Sequence, residues 1–297
     1  MTGSPAAPAR LGLIGFGALG RELIRHLRPE FESGRLLCTG AIVRDVVAHG
    51  SERDRRAAAG ELPPGWPTTF PGVEQLVDAS DLVVEVAGVQ PAWEYGAFVV
   101  KRGRTLLLAS VGVLADERRA AVLEAGPGEL LLTAGAVGGL DLLRATAQAD
   151  GLDELRLTTR KAPATLLRPW MAAEERERLA GLPADAPAEM LFEGSPAEAI
   201  RRFPANVNVA VAIADASRRR GAAGELEPRT AAIGRMTVRL VADPSATDSV
   251  HLIEAAGAAG HFRFELANRP SRANPRSSAL TAQSLALDVR GWLARRG

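Results

Sequence analysis

Three glycines near the start of the chain have the spacing of a phosphate-binding turn. The apolar run 11–14 leads into Gly15, Gly17 and Gly20, and an apolar helical pattern follows them. Gly15 permits a tight exit from a strand, Gly17 lets a pyrophosphate approach the backbone, and Gly20 lets a helix pack closely on the strand. The N–H groups of the first helical turn favour an anion. The spacing predicts a dinucleotide site, with a purely structural glycine turn as the alternative.

Apolar runs alternate with helical patterns through the first 134 residues. The further strand candidates are 36–43, 82–88, 105–109 and 130–133. This alternation predicts an α/β fold with an N-terminal Rossmann-type, doubly wound parallel sheet, whose ligand lies beyond the C-terminal ends of the strands. The loops at 15–20, 86–91 and 109–113 converge there. Besides the three glycines, the candidate cofactor contacts in these loops are Ala18, Leu19, Ala87, Gly88 and Ser110.

The intervening segments carry weaker patterns. A charged, alanine-rich helix is expected at 51–60, a short edge strand at 66–70, and a helix running from Pro91 to Val100. The stretch 170–201 reads as mostly polar helix and loop.

A length of 297 residues favours two domains. We expect a dinucleotide-binding domain formed by 1–134 plus 276–297, with the C-terminal helical pattern returning to it. Residues 135–275 are expected to form a second α+β domain with a largely antiparallel sheet, which serves substrate binding, catalysis and oligomerisation. The entry to this domain is glycine-rich, and alternating patterns follow it.

The preference for NAD or NADP should be decided at the end of the second strand. The sequence there is Val43-Arg44-Asp45. Arg44 could contact an adenosine phosphate and favour NADP, whereas Asp45 could bind the ribose hydroxyls of NAD. A solvated ion pair at the strand end is the alternative without a cofactor. Both cofactors stay open, and we favour NAD.

The composition argues for a small-molecule enzyme. The net charge of +1 gives no reason to expect nucleic acid or a membrane surface as a partner. No stretch of about 18 apolar residues is present, and Cys38 is the one cysteine, so a reducing compartment fits. No ligand spacing for a metal is recognisable. We expect a soluble, cytoplasmic protein.

Seven motifs in order resemble the L-aspartate dehydrogenase family over nearly the whole chain. They are GFGALG (15–20), SVG (110–112), GAVGGLD (135–141), TTRK (158–161), FPANVNVA (203–210), ADP followed by His (242–251), and NRPSRANPRSSALTAQS (268–284). The resemblance implies NAD(P)-dependent oxidative deamination of L-aspartate to iminoaspartate, which hydrolyses to oxaloacetate and ammonia. It also implies a homodimer.

The resemblance assigns roles to individual residues. His251 matches the catalytic histidine, and Ala136 and Asn208 match positions that bind the nicotinamide end of the cofactor. A histidine suits the reaction, because a group titrating near neutrality can take the ammonium proton or activate water on the imine. Without the resemblance, the residue pattern favours a structural role for His251 in a strand or short helix. It also leaves Asn208 as a packing residue, with Asn206 as the simpler helix cap.

A dicarboxylate substrate needs fixed cations. Arg160 and Lys161 supply two at the end of a predicted strand, where adjacent side chains point to opposite faces. Only two of the 36 basic residues are lysines, so Lys161 is the better candidate and Arg160 the second. Asn208 is a further candidate for contact with the substrate. The rival functions are a reductase resembling homoserine dehydrogenase or dihydrodipicolinate reductase, and a dinucleotide sensor without catalysis.

Overall fold

The computed structural model describes residues 7–203, 207–271 and 278–296. The chain forms two compact units. The first comprises Met1–Val113, Arg118–Gly135 and Thr281–Gly297, and the second comprises Leu114–Glu117 and Ala136–Leu280.

The first unit is built on a five-stranded sheet with the order β2-β1-β3-β4-β5, in which all neighbours are parallel. Its strands are β1 (Ala9–Ile14), β2 (Leu36–Ile42), β3 (Leu82–Glu85), β4 (Thr105–Leu108) and β5 (Leu130–Leu132). Its helices are α1 (Ala18–His26), α2 (Arg28–Glu32), α3 (Val46–Ala58), α4 (Val73–Asp78), α5 (Val89–Lys101), α6 (Glu117–Glu124) and α12 (Ala279–Ala294). The predicted doubly wound Rossmann-type sheet is confirmed.

The core of this sheet explains why its strands are continuous apolar runs. Every residue of β3 is buried, because helices cover both faces of a parallel sheet. Helix α12 belongs to the same core: Leu285, Val289 and Trp292 are buried in the cluster that contains β1. The indole N–H of Trp292 donates to Thr105 Oγ1 on β4 over 3.1 Å.

The second unit contains a five-stranded sheet with the order β10-β9-β6-β8-β7. Its strands are β6 (Glu154–Lys161), β7 (Glu189–Gly194), β8 (Met236–Ala242), β9 (Ser249–Gly257) and β10 (Gly260–Asn268). Strands β6 and β8 are parallel, and the other neighbours are antiparallel, as the expectation of a largely antiparallel sheet requires. Its helices are α7 (Leu140–Gln148), α8 (Ala173–Ala180), α9 (Pro196–Arg202), α10 (Val207–Ala216) and α11 (Arg229–Arg235).

One face of this second sheet is buried, and the other is more exposed to solvent. Burial alternates along β8, as a period of two requires. Val238, Leu157 and Ile253 lie at paired positions and are at most 2% exposed. This buried face continues toward the carboxyl end of β6, where the candidate catalytic residues lie.

Two local expectations were wrong, and a third missed a strand. The segment 66–70 forms only one bridge, between Thr69 and Ala41, because Pro67 and Pro71 lack the N–H groups that a strand would use. Helix α3 begins at Val46 rather than at 51, because Asp45 caps it. The stretch 170–201 is mostly helix and loop, as expected, but it also contains strand β7, whose bulge next to Met190 breaks the alternation by which a strand is recognised.

Candidate functional site

The glycine turn between β1 and α1 leaves the backbone open at one position. Gly15 has a φ of +95°, and a Cβ there would lie 2.8 Å from the Cβ of Ala87. A Cβ on Gly20 would lie 3.1 Å from the Gly15 carbonyl oxygen. A Cβ on Gly17 would meet no atom within 4 Å. A ligand can therefore approach the chain at Gly17, while Gly15 and Gly20 keep strand and helix close.

The first turn of α1 can serve an anion. Gly17 is the N-cap residue and has no side chain with which to cap the helix. The N–H groups that open a helix have no partner within it, and the helix dipole favours a negative group there. Ala18 opens α1, and Leu19 packs against the core of the first unit.

A cavity of about 580 Å³ opens beside this turn. Gly15 and Gly17 line it, together with Val43 and Arg44 after β2 and Ala87 after β3. It therefore lies at the carboxyl ends of β1, β2 and β3, where ligands of open parallel sheets bind. The open backbone at Gly17 and this cavity fit the pyrophosphate and adenosine parts of a dinucleotide.

A buried carboxylate holds the neighbouring loops in place. Glu85, the last residue of β3, is 0% exposed. Its Oε1 accepts from the N–H groups of Ala87 at 2.7 Å and Gly88 at 2.8 Å. The Ser110 hydroxyl also donates to Oε1, at 3.1 Å, and the Ser110 N–H donates to Oε2 at 3.0 Å. One side chain thus joins the loop after β3 to the loop after β4.

Two opposing effects act on this carboxyl. Burial raises the pKa of Glu85, while the N–H donors of Gly88, Ala87 and Ser110 counteract the rise by stabilising the carboxylate. Backbone N–H groups can only donate, so the geometry suits the ionised form. Sequence reasoning assigned Glu85 no role, although it is the one charged residue in the apolar run 82–88.

In the second unit, His251 on β9 lies opposite Thr159 on β6. The Thr159 Oγ1 and His251 Nδ1 atoms are 3.0 Å apart and share a hydrogen bond. Thr159 is 0% and His251 4% exposed. Burial, and secondly the charge of Lys161, lower the pKa of His251 to about 4. The imidazole is therefore neutral at physiological pH and is held at one nitrogen.

Lys161 lies two residues beyond Thr159 and so on the same face of the sheet as His251. The residue is half-buried. Burial, and secondly the charge of Arg168, lower the pKa of Lys161 to about 8. The structure therefore brings a neutral histidine and an ammonium group together on one face. Thr159 and Arg168 complete this cluster, and sequence reasoning had singled out neither.

Arg160 points to the opposite face. Its side chain is 51% exposed and lies 3.7 Å from Asp243 Oδ2. Asp243 also accepts hydrogen bonds from the N–H and hydroxyl of Ser245, which together with Arg160 hold its pKa below the usual value. The structure does not bring Arg160 to the cluster of His251 and Lys161.

The two residues matched to nicotinamide-binding positions lie in the second unit. The Ala136 carbonyl accepts from Asn268 Nδ2 at 2.8 Å, and Asn268, which sequence reasoning also overlooked, is 7% exposed. Asn208 is exposed on the first turn of α10. The expected cap Asn206 lies outside the described residues.

The described residues contain neither a cluster suited to a metal ion nor a helix suited to a membrane. Among residues 7–203, 207–271 and 278–296, no group of three or more histidine, cysteine or acidic side chains could hold a metal ion. No helix in those ranges combines the length and the apolar character that crossing a membrane requires.

Sequence comparison places both parts of the chain among dehydrogenases. The family model described as "Aspartate dehydrogenase, C-terminal" matches residues 141–291. The model described as "Homoserine dehydrogenase, NAD binding domain" matches residues 15–126. The L-aspartate dehydrogenase of Serratia proteamaculans is 33% identical over 285 residues, covering 93% of this chain and 94% of the relative. The chain belongs to the L-aspartate dehydrogenase family.

Other members of this family match at similar lengths. The L-aspartate dehydrogenase of Pseudomonas aeruginosa is 33% identical over 280 residues, covering 92% of this chain and 93% of the relative. Among solved structures, aspartate dehydrogenase from Thermotoga maritima superposes with a TM-score of 0.66 at 23% identity, covering 96% of each chain. An archaeal homoserine dehydrogenase gives a TM-score of 0.54 at 12% identity, covering 95% of this chain and 97% of the other. The two superpositions show the fold.

The role of Glu85 is tested by the Glu85→Gln variant. In the wild type, both carboxylate oxygens of Glu85 accept from backbone N–H groups. Whichever way the glutamine amide is oriented, its NH₂ group therefore faces one of these donors and cannot accept from it. We expect a loss of about 1–3 kcal/mol in the free energy of unfolding, measured with urea. We also expect weaker NADH binding in a fluorescence titration, because Ala87 lines the cavity. The control is Glu74→Gln on the exposed surface of α4. Unchanged stability and affinity in Glu85→Gln would show that the carboxylate does not organise the loops.

Proposed function

We propose that the chain catalyses the NAD(P)-dependent oxidative deamination of L-aspartate to iminoaspartate, which hydrolyses to oxaloacetate and ammonia. The observation that carries this proposal is the cluster of Thr159, Lys161 and His251 on one buried face, within the part of the chain that resembles aspartate dehydrogenases. The glycine turn of the first unit supports it as a site for the cofactor.

The first unit would hold the dinucleotide. Backbone groups at Gly15, Gly17 and Gly20, with the opening turn of α1, would bind the pyrophosphate. Gly88 and Ser110 would line the path of the cofactor, positioned by Glu85. When bound, the nicotinamide ring supplies the hydride acceptor for the substrate carbon.

His251 would remove the proton that blocks the reaction. Carbon 2 of aspartate can lose a hydride only when the amine lone pair is free to form the C=N bond. The imidazole is neutral at physiological pH, so it has a lone pair for the ammonium proton, but burial and Lys161 lower its pKa to about 4 instead of the near-neutral value expected from the sequence. A substrate carboxylate bound to Lys161 would offset the contribution of that charge and make His251 a stronger base. We infer that Nδ1–H of His251 donates to Thr159 Oγ1, which leaves the lone pair of Nε2 for the substrate.

Lys161 would anchor a carboxylate of the substrate. Its ammonium lies on the face of His251 and is charged below pH 8, given its pKa of about 8. The positive charge also keeps His251 neutral. Of the two adjacent cations we therefore propose Lys161, since Arg160 pairs with Asp243 on the other face. Asn208, which can both donate and accept, and the backbone at Ala136 would bind the nicotinamide carboxamide.

We further propose that the protein works in the cytoplasm. Burial raises the pKa of the single cysteine, Cys38, to about 12, so its thiol stays protonated and unreactive. A reducing compartment, in which pyridine nucleotides are also present, suits such a protein.

The activity is tested by following NAD(P)H formation with L-aspartate, and its consumption with oxaloacetate and ammonia. Wild type should be active in both directions, and His251→Ala should lower kcat by about 10²- to 10⁴-fold, because the base is removed. The matched control is His261→Ala, an exposed histidine of the neighbouring strand β10, which should keep wild-type rates.

Three results would separate the alternatives. Turnover of homoserine or an aspartate-derived aldehyde in place of aspartate would favour the related reductases. NADH binding without turnover of any of these substrates would favour a sensor. Full activity in His251→Ala would leave the reaction standing and remove the histidine from it.

The charge of Lys161 predicts the pH profile. The plateau of kcat/KM for aspartate should lie where His251 is neutral and Lys161 is charged, between pH values of about 4 and about 8. The rate should fall above pH 8 as Lys161 loses its proton. In Lys161→Arg the guanidinium stays charged, so the alkaline limb should move up by at least about one pH unit.

This comparison has an internal control. The substrate ammonium titrates equally in both proteins, so the difference between the two profiles reports on Lys161 alone. Identical alkaline limbs would contradict the role of Lys161.

We also propose a homodimer, as the resemblance to the family implies. Sedimentation equilibrium of the purified protein should give twice the mass of one chain at micromolar concentration. A mass of one chain over the whole concentration range would contradict the proposal.

A further inference from the structure

The end of β2 decides which adenosine ribose the cavity can accept. Strand β2 neighbours β1, and the Gly15 N–H donates to the Ile42 carbonyl at 2.8 Å, so the residues after β2 lie beside the glycine turn. A dinucleotide whose pyrophosphate lies on this turn presents its adenosine ribose to the end of β2. The side chains available there are those of Val43, Arg44 and Asp45.

No acidic residue stands at the strand end itself. Ile42 is the last residue of β2, and Val43 packs partly buried against the core of the first unit. Neither side chain can accept a hydrogen bond from a ribose hydroxyl. The acceptor that an NAD site places here is missing from both positions.

The next acidic residue is already used by a helix. Asp45 is the N-cap of α3, and its Oδ1 accepts from the Ala48 N–H at 2.8 Å. A carboxylate at an N-cap satisfies one of the free N–H groups of the helix and interacts favourably with its dipole. Turning Oδ1 of Asp45 toward a ribose would break this cap.

Glu52, the acidic residue that α3 contributes to the cavity wall, is already paired with arginines. Glu52 forms ion pairs with Arg21 at 2.6 Å and with Arg56 at 3.1 Å. The hydrogen bond from Arg21 contributes most to a pKa of Glu52 below the usual value, so Glu52 remains an ion whose charge is balanced by arginines.

Arg44 is the cavity-lining cation that can bind an anionic ligand. Its side chain is exposed and lines the cavity. Within the described part of the chain, no carboxylate forms an ion pair with it. A guanidinium binds a phosphate through two parallel N–H bonds, which makes it a specific partner for a phosphate group.

We propose that Arg44 binds the 2′-phosphate of NADP and makes NADP the preferred cofactor of this chain. The inference rests on the proposed function only in requiring that the cavity holds the adenosine part of a dinucleotide. It needs no turnover of aspartate, and so it is tested by binding.

The experiment titrates the protein with adenosine 2′,5′-bisphosphate and with AMP, which differ only in the 2′-phosphate, using calorimetry. Wild type should bind the bisphosphate at least about 10-fold more tightly than AMP. In Arg44→Ala this preference should disappear, while AMP affinity stays within about twofold of wild type. Arg44→Lys should restore part of the preference, since it restores the charge without the paired N–H geometry.

The matched control is Asp45→Asn, which keeps the helix cap and removes the neighbouring negative charge. It should retain the preference for the bisphosphate. A loss of AMP affinity in this variant would identify Asp45 as the ribose ligand and overturn the proposal. Equal affinities in wild type, an unchanged preference in Arg44→Ala, or no binding of either nucleotide would each overturn it too.

Steady-state kinetics distinguish this inference from the proposed function. If both hold, kcat/KM for NADP exceeds that for NAD by about 10-fold or more, and Arg44→Ala removes the difference. Preferential binding of the bisphosphate without aspartate turnover would support Arg44 and contradict the dehydrogenase activity. Aspartate turnover with NAD alone would support the dehydrogenase activity and contradict the role of Arg44.

Discussion

The register between β6 and β9 is the constraint on which the proposed chemistry depends. Thr159 lies directly opposite His251, and Lys161 follows at the next position of the same face. A slip by one residue would turn His251 to the opposite face, where Arg160 and Val250 now lie. The buried position lowers the pKa of His251, and the register brings Lys161 close enough to lower it further. Burial and charge at the site are thus consequences of one strand pairing.

The first unit depends on a comparable anchor. Glu85 is buried at the end of β3 and binds backbone N–H groups of two loops that the sheet brings side by side. Because the loop after β3 borders the cavity beside the glycine turn, the carboxylate supports the wall of the proposed cofactor site without lining it. Gly15 contributes through a backbone conformation and a contact with Ala87 that a side chain would prevent.

Much of the fold could be predicted because its signals are local. Buried parallel strands are short apolar runs, and their alternation with helical patterns predicted the Rossmann-type sheet. The seven ordered motifs predicted the family, which the comparisons confirm. Strand β7 was missed because its bulge interrupts the period of two. The segment 66–70 was misread because its aromatic and β-branched residues outweighed Pro67 within it and Pro71 after it.

The site was predictable only in part, because its remaining members act through contacts that are distant in sequence. Thr159 and Glu85 are ordinary residue types. The partner of Thr159 lies 92 positions away, and Ser110, through which Glu85 joins the second loop, lies 25 positions away. The sequence indicated that Arg160 and Lys161 point to opposite faces, but only the pairing with β9 shows that Lys161 shares the face of His251. The sequence left the roles of Arg44 and Asp45 as alternatives, and the proposal for Arg44 depends on the cap of α3, which only the structure shows.

The central claim is that this chain moves a hydride from carbon 2 of L-aspartate to a nicotinamide. The most direct measurement is the reaction of L-aspartate deuterated at carbon 2, with the reduced cofactor analysed by mass spectrometry and NMR. The account predicts one deuterium at C4 of the nicotinamide for each oxaloacetate formed. Reduced cofactor without deuterium, or deuterium released to the solvent, would contradict it.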